Sequence, residues 1–120
     1  MRAQDRATAR KQLDKRLNRL RNSDIISRPP RGWIKAIREA LGMTTTQFGK
    51  RLGVSQSTAL GFEKSETSKG ITLETLERAA RALDCQFVYA LVPRQPLESL
   101  VEDRARELAK KHLRATSHSM

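Results

Sequence analysis

Residues 44–63 read TTTQFGKRLGVSQSTALGFE, and their spacing decides the fold. Phe48 and Leu52 lie one helical turn apart, as nearly do Ala59 and Phe62. That interval predicts two short amphipathic helices crossing over a shared apolar seam, which Leu41 and Val54 complete. Gly49 falls mid-helix, where a side chain would hold the second helix away. Gly53 supplies the left-handed residue that ends the first helix, a conformation glycine adopts without strain. Ser55 is placed to cap the second helix by accepting from its free N–H groups. Two helices, a glycine turn and a serine cap make a helix-turn-helix layout, whose second helix enters a DNA major groove.

Working outward, Gly32–Leu41 is the predicted first core helix, with Trp33, Ile34, Ile37 and Leu41 wholly or partly inward and Gly42 ending it. Thr44 or Thr45 opens the next. Ser65–Gly70 reads as a polar loop, and Thr72 caps a further helix whose inner stripe is Leu73, Leu76, Ala79, Ala80 and Leu83. Toward the N-terminus, residues 3–22 read as a helix with Leu13, Leu17 and Leu20 in a stripe so narrow that a partner is needed. Pro29-Pro30 then forbids helix.

Residues 86–92 (QFVYALV) switch to a β-favouring pattern. One strand cannot satisfy its own backbone, and no second strand is legible. The expectation is therefore pairing with the same strand of a second copy across a two-fold axis, through Phe87, Val88, Tyr89 and Leu91. After Pro93 and Pro96, residues Leu97, Leu100, Val101, Ala105, Leu108 and Leu113 describe a last amphipathic helix. The expected fold is mainly α: a helix-turn-helix core of four to five helices, N- and C-terminal helices, and one short β-strand paired across a dimer. Its segments are a basic helix and arm (1–31), the helix-turn-helix domain (32–85), the strand (86–93) and the C-terminal helix and tail (94–120).

The chain has 120 residues and a formal net charge of +11. Residues 1–31 carry ten Lys/Arg against three Asp/Glu, whereas 32–92 carry eight against six. The excess thus sits on the N-terminal arm, and together with the motif it points to double-stranded DNA. The single Cys85 excludes a disulfide within the chain and reads as a buried structural thiol. His112 and His118 have no partners at metal-ligand spacing, and the carboxylates are scattered over solvent faces. No metal, cofactor or catalytic site is expected, and so no enzyme. The longest apolar run, Phe87–Val92, is too short to span a bilayer, and no apolar stretch follows the basic N-terminus as in a secretory signal. The expected location is cytoplasmic and nucleoid-associated.

From Ser55 onward, the outward face of the reading helix is Gln56, Ser57, Leu60 and Gly61, with Thr58 at the flank. The Gln56 amide can pair with adenine or bind a phosphate, Ser57 and Thr58 can donate, and Leu60 offers only apolar contact such as with a thymine methyl. Thr45, Thr46 and Gln47 open the preceding helix, where N–H groups and hydroxyls suit a phosphate; Lys64 suits another. Arg28 and Arg31 flank the two prolines in a segment that is either a minor-groove arm or a plain linker. The basic face of residues 3–22 either binds phosphates or is solvated around a dimer seam.

Residues 33–92 resemble the Xre, lambda-repressor-like type of helix-turn-helix domain, with SQSTALGFEKSE (55–66) in the place of its recognition helix. The resemblance extends through RPPRGWIKAIREALGMTTTQFGKRLGVSQST, GITLETLERAARALDCQFVYALVPR and LESLVEDRARELA to the family called mobile mystery protein A. That family is typically encoded beside a Fic-domain protein, which implies an antitoxin or autoregulator role and a Fic-domain partner. Its pattern has Ser and Arg where this chain has Leu60 and Gly61, so the commonest guanine contact is missing. A related antitoxin dimerises through a short strand placed like QFVYALV. Familiar Fic inhibitors carry Ser or Thr four residues before a Glu, and no Glu here has that neighbour. Direct inhibition of the Fic partner is the alternative function, and it would need other contacts.

Overall fold

The structure, a computed structural model, describes residues 1–118. Six α-helices form in chain order: α1 (Ala3–Leu17), α2 (Trp33–Ala40), α3 (Thr45–Leu52), α4 (Gln56–Thr67), α5 (Leu73–Ala82) and α6 (Leu97–His118). They divide into two compact units, Ser27–Ala90 and the pair made by Met1–Ile26 with the chain from Leu91 onward.

In the first unit, α3 packs most closely on α4, and α2 and α5 close the other sides. Phe48, Ala59 and Ala79 are wholly buried, joined by Ile34, Met43, Leu52 and Leu83. Local signals explain the helix ends. Thr44 forms a full capping box with Gln47: its hydroxyl accepts from the Gln47 amide at 3.1 Å, and the Thr44 amide donates to Gln47 Oε1 at 2.9 Å. Gly53 ends α3 at φ 75°, and Ser55 and Thr72 cap α4 and α5 through the amides of Thr58 and Thr75. The close crossing needs Gly49, where a Cβ would come within 2.9 Å of the Val54 carbonyl oxygen.

Two core expectations and one loop boundary need correction. Leu41 is 57% exposed, because α2 has ended and the chain turns through Gly42 at φ 67°; Met43 takes the buried place instead. Leu73, in the first turn of α5, is also exposed. Residues 65–67 belong to α4 and not to the loop. Cys85 is half-buried against the core, its thiol 3.4 Å from the Leu83 carbonyl oxygen.

The expected strand does not form: residues 86–92 have no regular secondary structure, and no strand occurs among the described residues. The reason is the one that made a lone strand suspect. A strand exists only as part of a ladder, and among the described residues no backbone hydrogen bond joins this segment to another. Val88, Tyr89 and Leu91 stand exposed, and the Phe87 and Tyr89 rings stack at 5.9 Å.

In the second unit, α1 pairs with α6. The buried residue of α1 is Asp14, while Leu13, read as part of the apolar stripe, is 42% exposed. The Asp14 carboxylate accepts from the amides of Leu97 and Glu98 at 2.7 and 3.2 Å, capping α6 from another helix. Arg10 bonds Glu98 at 2.9 Å, and Arg21 donates to the Pro93 carbonyl at 3.0 Å. α1 stops at Leu17, earlier than the residue 22 its leucines suggested. On α6, hydrogen bonds from Arg106 and then Gln95 hold the Asp103 carboxyl below the usual carboxylate range.

Candidate nucleic-acid interface

The exposed start of α4 is built from its cap. Ser55 Oγ accepts from the Thr58 amide at 3.1 Å and lies 3.0 Å from Thr58 Oγ1, so both hydroxyls are held at the helix end. Gln56 Nε2 donates to Thr45 Oγ1 at 2.9 Å, which ties the first residue of α4 to the first residue of α3. The two N-termini therefore lie together, and Gln56, Ser57 and Thr58 are exposed on that surface. α3 leaves the N–H groups of Thr45 and Thr46 without an intrahelical acceptor, as every helix does at its first turn. Those donors and the positive end of the α3 dipole suit a phosphate. Gln47 is exposed, but its side chain is engaged in the capping box.

One turn further along α4, Leu60 is exposed, and the space a Gly61 side chain would take is open for 4 Å. A side chain at position 61 would therefore start into open space. Lys64 and Arg31 line one shallow cleft of about 350 Å³, together with Lys35, which sequence reasoning did not single out. Lys35 Nζ lies 4.0 Å from Glu39, while Arg31 and Lys64 enter no ion pair among the described residues. The cleft thus gathers positive charge beside the exposed face of α4.

Arg28 behaves differently from Arg31. Its guanidinium donates to the Glu66 carbonyl at 2.6 Å, so it is tied to the C-terminal end of α4. The two-proline segment also folds back: the Gly32 amide donates to the Pro29 carbonyl at 2.9 Å.

Sequence reasoning missed the charged groups that orient α4. Arg38 on α2 meets Glu63 with two hydrogen bonds of 3.0 Å and gives a third, at 2.8 Å, to the Met43 carbonyl; both side chains are buried. Glu66 Oε2 and Oε1 accept from the amides of Trp33 and Ile34 at 2.8 and 2.9 Å, so α4 caps α2. Gly32, at φ 90°, leaves room for that carboxylate: a Cβ there would lie 2.6 Å from Glu66 Oε1. Arg78 of α5 donates to the Leu52 carbonyl at 2.8 Å and lies over the Phe62 ring at 5.9 Å, which anchors α3 and α4 to α5.

Residues 34–89 match the family described as helix-turn-helix, a span that runs from α2 through α5 and includes the α3–α4 motif. The matched segment is similar to helix-turn-helix domains of the Xre type, and the match supports a DNA-binding transcription regulator. No curated protein and no solved structure matches the chain. Among the described residues, no helix is long and apolar enough to cross a membrane, and no group of His, Cys, Asp or Glu side chains could hold a metal ion.

Proposed function

We propose that the chain is a sequence-specific repressor that binds a two-fold operator, in the first place its own promoter, as a homodimer. The observation that carries this reading is the joined, exposed start of α3 and α4, where Gln56 is fixed on Thr45 beside the Ser55 cap. α4 would lie in the major groove with Gln56 and Ser57 on base edges. Thr45, Thr46, Thr58 and Lys64 would bind the backbone, and Leu60 and Gly61 would allow close approach. Arg31 would reach a phosphate from the cleft it shares with Lys64.

Replacing Gln56 with Ala is expected to weaken operator binding by about 1–3 kcal/mol while leaving affinity for scrambled duplex unchanged. Competition binding at fixed salt checks this, and equal losses on both DNAs would move the reading face elsewhere on α4.

The second copy is proposed to pair through Phe87, Val88, Tyr89 and Leu91, forming the ladder that one chain lacks. The exposed side chains of Val88, Tyr89 and Leu91 on backbone outside any ladder support it. Such a seam would set the two reading helices about 34 Å apart, one helical turn of DNA. Val88→Pro removes a ladder donor. The expected result is a loss of dependence on half-site spacing across operators with inserted base pairs. A variant that keeps the wild-type spacing preference would put the register-setting contact elsewhere.

The antitoxin-like role and the Fic-domain partner rest on the family resemblance of the sequence. With no Fic-inhibitor motif in the chain, repression of a shared promoter is the form of that role the residues support. A cytoplasmic, nucleoid-associated location follows from operator binding.

A further inference from the structure

α6 is 22 residues long, about 33 Å, and only its start is held by α1, through Asp14 and Arg10. From Arg104 to Thr116 every residue is exposed. Leu100 and Val101 are about two-fifths exposed, Leu108 is 63% exposed, and Leu100, Val101, Ala105 and Leu108 recur at helical spacing on one side. A helix of this kind draws most of its stability from burying its apolar face, and here that face is open.

Charge along α6 says what covers it. The first half, 97–107, carries four carboxylates (Glu98, Glu102, Asp103 and Glu107) against two arginines. The second half carries Lys110, Lys111 and Arg114 and no carboxylate. A parallel mate of the same sequence would set like charge on like charge. An antiparallel mate sets the acidic half of each helix on the basic half of the other, with Leu100, Val101 and Leu108 between them. We infer that α6 pairs antiparallel with α6 of a second copy, as a self-association seam separate from residues 87–91. This inference rests on the homodimer reading but not on the 87–91 contact.

Charge exchange in full-length protein tests it, with the mass in solution read by light scattering. The background carries Val88→Pro, so that only the α6 seam can hold two copies. That protein is expected to run as two chains. Reversing the basic half (Lys110→Glu, Lys111→Glu and Arg114→Glu) is expected to give single chains. Adding the opposite reversal (Glu102→Lys and Glu107→Lys), which spares the Glu98 bond to Arg10, to those three is expected to restore two chains, which only self-pairing of opposite halves can do. Leu108→Glu gives single chains as well, with helix content by circular dichroism showing that the rest of the molecule is folded. A V88P protein that is already a single chain, beside a two-chain wild type, overturns the α6 seam and leaves the 87–91 dimer standing. A wild type that is a single chain overturns both. Single chains in the charge-exchanged variant overturn self-pairing and assign the face to a different protein.

Discussion

Glu63→Ala is expected to cost about 3–5 kcal/mol of stability, because it strands the buried Arg38 guanidinium. Both partners are almost fully buried, and two 3.0 Å bonds join them. Removing Glu63 leaves a buried charge whose remaining partners are the Met43 carbonyl and, 3.9 Å away, the exposed Glu39 carboxylate, which is too hydrated to replace a buried partner. The pair itself adds little net stability, since burying two charges cancels most of their attraction. Arg38→Met combined with Glu63→Leu is therefore expected to recover most of the loss. The single Trp33, at the start of α2, makes urea unfolding measurable by fluorescence in this unit. If the single variant unfolds at the wild-type midpoint, the ion pair does not orient α4.

Glu66→Ala is the second large effect. The carboxylate accepts from two amides at the start of α2, and truncation leaves those of Trp33 and Ile34 without their acceptors. The cost is about 1–3 kcal/mol for each unsatisfied amide that stays dry. Ile34 is 4% exposed, so its amide has little access to water, while Trp33 is partly exposed and recovers some of its loss. Glu66→Gln keeps one acceptor oxygen and is expected to fall between wild type and Ala. The same unfolding midpoints order the three proteins. Because Glu66 and Arg28 sit at the far end of α4 from Gln56, operator affinity measured well below the unfolding midpoint is expected to stay near wild type. A loss of binding without a loss of stability would place residue 66 in the DNA contact instead.

These two residues also mark where sequence reading runs out. Ser55, Gly53, Thr72 and Gly49 act on neighbours within a few positions, or through the space a missing side chain leaves, and their roles follow from spacing. The capping and crossing of α3 and α4 were legible for that reason. Glu63 and Glu66 sit in a polar run that reads as a solvated helix end, yet both are buried. Their partners lie 25 and 32 to 33 positions away. Asp14 likewise looks like one more charge on a basic helix, until α6 presents its free amides 83 and 84 positions later.

The extended segment 86–92 shows the reverse. Its composition states a β preference plainly, but a preference becomes a strand only when another backbone offers donors and acceptors, and no described residue bonds to this segment in that way. The exchange of Leu41 for Met43 has a similar origin: periodicity continues a helix past its end, whereas the turn at Gly42 changes which residue faces the core. The sequence by itself determined the helix-turn-helix motif, its glycine turn and the local caps of α4 and α5, because those depend on residues within a turn or two of one another. Only the tertiary structure decided which charges are buried, which helix caps which, and which apolar side chains are left exposed. Desolvation and hydrogen bonding are settled by whatever the fold brings alongside, and local spacing carries no record of that.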